Sequence, residues 1–339
     1  MNEKPPMDQL TAHLDRGWEL VSRGDFHGAR LSAQKGLEME AQSPEAFHLL
    51  AYVHASEGNV HEALENYVNA IACDETFIEA MLNAAELFIH PVGNLEAATR
   101  LIEEAFEYCE TPDELADAIL LRVDVLLAQG KTNEAKAYLD KLPSGPFESD
   151  SVGFRMGRAR LHLGEVSKAR VLLRKAVELF PHDPEVQFCW AICLDRSGDP
   201  RSGTVAFLRT RELEAAAPPF AWSIPGDRFE LLVQESTAKL SEASSKLIHN
   251  ALIIVCELPG AEVVADGIDP RAPVWLDAPP GQTRIERVFV YQRNVERNVT
   301  SASDIPEQIL ASIEHEIQIF QDAIRLSKHG RAKEIASSE

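Results

Sequence analysis

Gly58-Asn59-Val60-His61-Glu62-Ala63 lies between two runs of apolar residues at helical spacing, and the same short order returns along the chain. It recurs as Gly24-Asp25-Phe26-His27-Gly28-Ala29, Gly93-Asn94-Leu95-Glu96-Ala97-Ala98, Gly130 to Ala135, Gly164-Glu165-Val166-Ser167-Lys168-Ala169 and Gly198-Asp199-Pro200 to Gly203. The closing small residues 29, 63, 98, 135, 169 and 203 are spaced 34, 35, 37, 34 and 34 apart. A glycine between two helical runs ends the first in a left-handed cap, and a small residue just after it lets the second helix pack closely. The pattern therefore predicts a repeated helix-turn-helix unit, helix A before each glycine and helix B after it.

Working outward, Gly17, Ala51, Ala85, Gly157 and Ala191 place a small residue on helix A where two backbones approach. Pro44 and Pro184 stand where a new helix A starts, a position that tolerates the missing amide hydrogen. The period and these positions resemble the tetratricopeptide repeat, in about six copies over residues 10 to 213, with insertions in copies three and four that distort their turns. The resemblance implies an α-solenoid whose concave face is lined by helix A residues and binds a protein or peptide. By register that face includes Asp15, Trp18, His48, Tyr52, Asn83, Glu86, Asp124, Arg155, Arg158, Phe188 and Ile192. The Lys/Asn/Arg clamp with which some relatives hold a terminal carboxylate is matched only by Asn83, Arg155 and Arg158, so that specificity is not expected.

The 339 residues carry 33 Lys+Arg against 54 Asp+Glu, a formal charge of −21, which excludes a nucleic-acid partner because phosphate binding needs a dense positive stripe. Against that background the fifth repeat is unusual: Arg155, Arg158, Arg160, Lys168, Arg170, Arg174 and Lys175 face a single acid, Glu165, between Ser151 and Val177. Such a cluster predicts a docking patch for an acidic partner, or a helix face paired with acids of neighbouring repeats. Ala251 to Cys256 is the longest apolar stretch, far below the roughly 20 residues of a membrane span. The five cysteines are scattered and the first residues carry no export signal, so a cytoplasmic protein with reduced thiols is expected.

The repeat pattern ends near Leu213, and residues 214–226, with Ala217-Pro218-Pro219 and Ile224-Pro225-Gly226, read as a linker between an array at 1–213 and a domain at 227–325, before a flexible tail at 326–339. The domain reads as small and α+β: a helix over Asp227 to Leu240, strands at Ala251 to Cys256 and Arg287 to Tyr291, a loop between them, and a long helix from Pro306 to Leu326. Arg228-Phe229, Gly267-Ile268-Asp269-Pro270-Arg271, the run Val288 to Arg297 and Ile313-Glu314-His315-Glu316-Ile317 resemble, in this order, blocks of the small bacterial zincin-like metallopeptidase family. That family carries His-Glu-x-x-His on its last helix, where two histidines one turn apart hold zinc and the glutamate activates its water. Here His315 and Glu316 match the first ligand and the base, but Ile319 stands at the second ligand. Phe320 replaces the next histidine, so the pocket is expected to be packed core and the domain a pseudopeptidase without metal or cofactor. The chain is thus expected to be a non-enzymatic scaffold. The alternative is a zinc-dependent metallopeptidase whose repeats recruit substrate, its site rebuilt from Glu314, His315 or Asp322 with Asp266 or Asp269.

Overall fold

The computed structural model describes residues 9–220, 222–279, 284–299 and 301–336, with side chains as far as 325. The chain is mainly helical and divides into two compact units, one ending at Leu179 and one beginning at Phe180.

The first unit is five helix pairs: α1 (Gln9–Ser22) with α2 (Phe26–Met39), α3 (Pro44–Ser56) with α4 (Val60–Cys73), α5 (Ile78–Ile89) with α6 (Leu95–Tyr108), α7 (Pro112–Ala128) with α8 (Thr132–Leu139), and α9 (Ser151–His162) with α10 (Val166–Leu179). Every glycine that the repeat pattern places between A and B helices has the positive φ of a left-handed turn, from 73° at Gly93 and Gly130 to 84° at Gly198. Polar residues beside these turns and between pairs cap the next helix. Asp25 accepts from Gly28 N, Ser43 from Ala46 N, Asn94 from Ala97 N, and Thr111 forms a reciprocal capping box with Glu114. The helices then meet through small residues: Ala29, Ala63, Ala98 and Ala169 on the B helices are fully buried, as are Ala51 and Ala85 on the A helices.

The two insertions behave differently. In copy three the A–B connection lengthens to residues 90–94, whereas in copy four the turn keeps its three residues and α7 grows to 17 residues instead of 12 to 14. The expected distortion of the fourth turn is therefore absent, because a helix absorbs added residues at the cost of little more than length. After the short α8, the irregular segment 140–150 is fastened by Asp113, whose carboxylate accepts from Glu148 N and Ser149 N at 2.9 Å each.

The second unit opens with the sixth pair, α11 (Pro184–Arg196) and α12 (Pro200–Ala216). It continues through α13 (Gly226–Thr237), α14 (Glu242–Ile248), β1 (Leu252–Cys256), α15 (Ala261–Ala265), β2 (Val274–Asp277), β3 (Arg287–Tyr291), α16 (Gln292–Arg297) and α17 (Ile305–Ala336). The three strands form one small sheet in the order β1-β3-β2: β1 runs parallel to β3 with Ile254 opposite Phe289, and β2 runs antiparallel to it with Leu276 opposite Val288. One face of α17 carries Ile305, Ile309, Ile313 and Ile317, a stripe repeating every fourth residue, buried with Phe229 and Val233 of α13 and Val288 and Val290 of β3.

The strand β2 lies in what reads from sequence as a loop, and α17 continues to Ala336 past the expected end at Leu326. The segment read as a linker is fixed in place. Glu296, fully buried, accepts from Ser223 Oγ at 2.7 Å, Ile224 N at 3.1 Å and Gln292 Nε2 at 2.9 Å, while its own carbonyl accepts from Trp222 Nε1 at 2.8 Å. No helix among the described residues is long and apolar enough to cross a membrane.

Close approach at the small residues makes a paired prediction. A Cβ on Gly157 would stand 3.0 Å from Leu173 Cδ2 and 3.1 Å from Leu172 Cβ, whereas one on Gly153, in the same helix, meets nothing within 4 Å. Gly157→Val should destabilise the chain by about 1–3 kcal/mol through overpacking. Gly153→Ala should stabilise it by roughly 0.5–1 kcal/mol through helix propensity, both measured by urea unfolding.

Candidate functional site

The A helices of the first unit bring most of the expected face together. Trp18 of α1 meets two rings of α3, His48 with centroids 5.4 Å apart and Tyr52 edge-on at 5.3 Å. His48 packs further against Phe77 at 5.0 Å, and its Nε2 lies 2.9 Å from Asn83 Nδ2 of α5, which donates to the neutral ring. From Asn83 the surface opens into a groove of about 470 Å³ between α5, α7 and α9. Glu86, Asp124, Arg155 and Arg158 line it with His90, Asp117 and His162, over a floor that includes Leu120 and Leu121. Of the partner-binding residues expected from the sequence, only Phe188 and Ile192 lie in the second unit.

The electrostatics of this groove are mixed. Arg155 is taken up by an ion pair with Asp117, whose carboxyl is pushed above the usual range by burial even so. Asp124 is raised too, by burial first, with the attraction of His90 and Arg158 opposing it. Arg158 is exposed, with its guanidinium 5.8 Å from the Phe154 ring. His90 and His162 sit one helical turn after Glu86 and Arg158, and Asp117 two turns before Asp124, so helical spacing extends the same face to residues that the repeat register alone does not mark.

Of the seven bases in the expected patch on the fifth repeat, Arg155, Arg160 and Lys168 are paired with acids. Arg160 bonds to Glu165 at 2.5 Å and to the Leu139 carbonyl at 3.0 Å, and Lys168 bridges Asp140 at 3.0 Å and Glu165 at 2.9 Å. Asp117 and Asp140 of the preceding repeat and Glu165 of the fifth itself thus take up three of the bases that composition presents as a cluster.

In the second unit, Phe188 is covered from within the chain. The Arg271 guanidinium lies over its ring with 4.1 Å from Cζ to centroid, so this face is not open in the way the register implies. Arg271 Nε donates to Glu214 Oε1 at 2.8 Å and its NH1 to Glu185 Oε2 at 2.5 Å. Arg297 NH2 reaches the same Glu214 oxygen at 2.7 Å. Arg293 NH1 donates to the Glu214 carbonyl at 2.5 Å, and its NH2 to the carbonyls of Ala217 at 2.6 Å and Pro218 at 2.8 Å, capping the end of α12. The run Tyr291 to Arg297, whose arginines the sequence assigns to a peptidase block, here fastens the sixth repeat.

His315 and Ile319 share one face of α17, as the i, i+4 spacing requires, but that face is turned to solvent: His315 is exposed and Ile319 is 49% exposed. The expectation that Ile319 fills a former pocket is corrected, because the buried stripe passes through Ile313 and Ile317 instead. Phe320 does pack against the core. Glu316 is half-buried and its carboxyl is raised by burial. The alternative ligands are occupied or apart. Glu314 accepts from Ser241 N at 2.9 Å and from Ser244 Oγ, Asp322 bonds to Gln318 and Arg325, and Asp269 accepts from Arg271 N. Among the described residues no three His, Cys, Asp or Glu side chains are grouped to hold a metal ion, and the isoleucine at the second ligand position supplies no donor.

Residues 151–183, spanning α9 and α10, match the tetratricopeptide repeat family. The other helix pairs repeat the helix-turn-helix fold of that one matched unit. Among solved structures the chain is similar to PilW, described as a widely conserved type IV pilus biogenesis factor, at 13% identity over 61% of this chain and 94% of that one, with a TM-score of 0.50. It is similar to PilF of Pseudomonas aeruginosa at 20% identity over 61% of this chain and 97% of that one, with a TM-score of 0.49. A thermophilic TPR protein of Thermus thermophilus is similar at 22% identity over 55% of this chain and 98% of that one, with a TM-score of 0.46. These are likenesses of fold. None of the curated proteins matches the chain.

Burial of His48 has a measurable consequence. Desolvation lowers its pKa from 6.5 to about 4, so the unfolded chain binds the proton more readily and stability rises with pH across that window. Acidifying from pH 6.5 to 4 should remove up to about 3 kcal/mol through this residue. His48→Gln, which keeps an acceptor for Asn83, should flatten the difference, as followed by urea unfolding at a series of pH values.

Proposed function

We propose that the protein is a non-enzymatic interaction scaffold whose first unit holds a segment of a protein partner in the groove between α5, α7 and α9. Tetratricopeptide repeat arrays generally serve as protein–protein interaction scaffolds. The observation that carries the reading is the assembly of Asn83, Glu86, Asp124 and Arg158 from three A helices into one groove of about 470 Å³. Its walls offer both signs of charge and its floor is apolar, which suits an extended segment with alternating polar and apolar side chains. The Trp18 and Tyr52 rings extend the same helix A face toward the first repeat.

Because Arg155, Arg160 and Lys168 are already paired, no acidic preference is assigned to the fifth repeat. The C-terminal part keeps, in this reading, the blocks of a zincin-like metallopeptidase without its zinc chemistry, and serves as a partner for the sixth repeat. The compartment we assign is the cytoplasm.

A displayed library of random peptides tests the groove. Selection on the full chain should enrich a peptide that binds at micromolar strength, as measured by fluorescence anisotropy. Arg158→Glu and Asp124→Lys should each weaken it by roughly tenfold or more, and Arg174→Glu on α10 should leave it unchanged. Failure to enrich any peptide, or enriched peptides indifferent to both groove substitutions, would overturn the reading.

A further inference from the structure

Phe188 stands three residues before Ala191 on α11, the register at which His48 precedes Ala51, so it marks the ligand-facing side of the sixth repeat. What covers it is built to a single chemistry. The flat face of Arg271 rests on the ring at 4.1 Å, and its edge meets two carboxylates from different helices, Glu185 on α11 at 2.5 Å and Glu214 on α12 at 2.8 Å. The Arg271 side chain is 11% exposed and Glu214 4%. A ring beneath and two acceptors around the rim, one buried and the other, Glu185, 39% exposed, are what a planar, fork-shaped cation needs, and a lysine ammonium has neither the plane nor the spread of donors to satisfy them together.

The arginine is delivered with its backbone held on both sides. Asp269 accepts from Arg271 N at 2.8 Å, and Asn294, fully buried on α16, donates to the carbonyls of Pro270 and Ala272 at 2.8 Å each. Two of the four blocks that carry the peptidase resemblance, Gly267 to Arg271 and Val288 to Arg297, therefore work together here: one carries the guanidinium and the other fixes the loop that presents it.

We propose that α11 and α12 form a guanidinium-binding pocket and that the chain fills it itself with Arg271, so that the C-terminal part is an internal ligand that closes the sixth repeat to outside partners. Recognition of a partner by the A-helix groove is then confined to residues before 180. This assignment stands whether or not that groove binds a peptide.

The test empties the pocket and offers it a small cation. Full-length Arg271→Ala is titrated with methylguanidinium or methylammonium at concentrations up to about 10 mM, following binding by calorimetry and the thermal midpoint. The wild type should respond to neither. Arg271→Ala should bind methylguanidinium and recover part of its lost midpoint, prefer it over methylammonium by at least about fivefold, and lose the response when Glu185→Gln and Phe188→Leu are added. A folded Arg271→Ala that ignores methylguanidinium, or answers equally to methylammonium, would overturn the pocket.

If Arg271→Ala does not fold, the wild type decides through exchange of the Arg271 Nε hydrogen in nitrogen-15 spectra, assigned by its loss in Arg271→Lys. That hydrogen should exchange at least about tenfold more slowly than that of Arg23, whose side chain is 67% exposed, and faster in Phe188→Leu. Exchange as fast as at Arg23 overturns the proposal.

Discussion

A pair of helices buries its apolar stripes only if the two backbones come close enough for short side chains to meet, and everything in this chain is arranged around that approach. Gly17, Ala51, Ala85, Gly157 and Ala191 remove bulk from the A helices, and buried alanines answer them from the B helices. A core so rich in alanine gains little from each side chain, since transfer from water scales with the apolar area removed. Stability must then accumulate along the array, with each pair leaning on the next. The polar caps at Asp25, Ser43, Asn94, Thr111, Asp183 and Asp199 serve the same end by setting where each helix begins.

Local rules made the array legible. A glycine with positive φ, a cap and a small residue act within a few positions, so their spacing carries straight into structure. The helix A face was legible for the same reason, and Trp18, His48, Asn83, Glu86, Asp124 and Arg158 fall where the register sets them. What could not be read were pairings across long sequence distances. Asp117 lies 38 residues before Arg155, and Glu214 lies 57 before Arg271, so a basic cluster looked free and a phenylalanine looked open. The strand β2 escaped because four residues among Gly, Pro and Asp carry too short a pattern to separate from a loop.

The last helix shows how a motif and its setting part company. His315 and Ile319 keep the spacing of two ligands, yet the isoleucine stripe through residue 317 decides which side of the helix is inside. That stripe repeats every fourth residue and leaves the motif's face to solvent. The apolar side chain at 319 is thus a surface residue that costs little, rather than the filling of a vanished pocket. Helix periodicity, applied to the whole of α17 instead of to the motif alone, contains this answer.

The arginines that grip α12 also limit where the chain can be cut without separating partners. Arg293 holds the last carbonyls of that helix, Glu296 holds the strap that follows it, and Arg271 and Arg297 share Glu214. A recombination joining a foreign repeat array to this domain at residues 214–226, where composition alone invites a cut, would strand three guanidinium groups among partners they were not selected with. A crossover between Leu179 and Phe180 would keep them with their acceptors, because the domain and the sixth repeat lie in one compact unit.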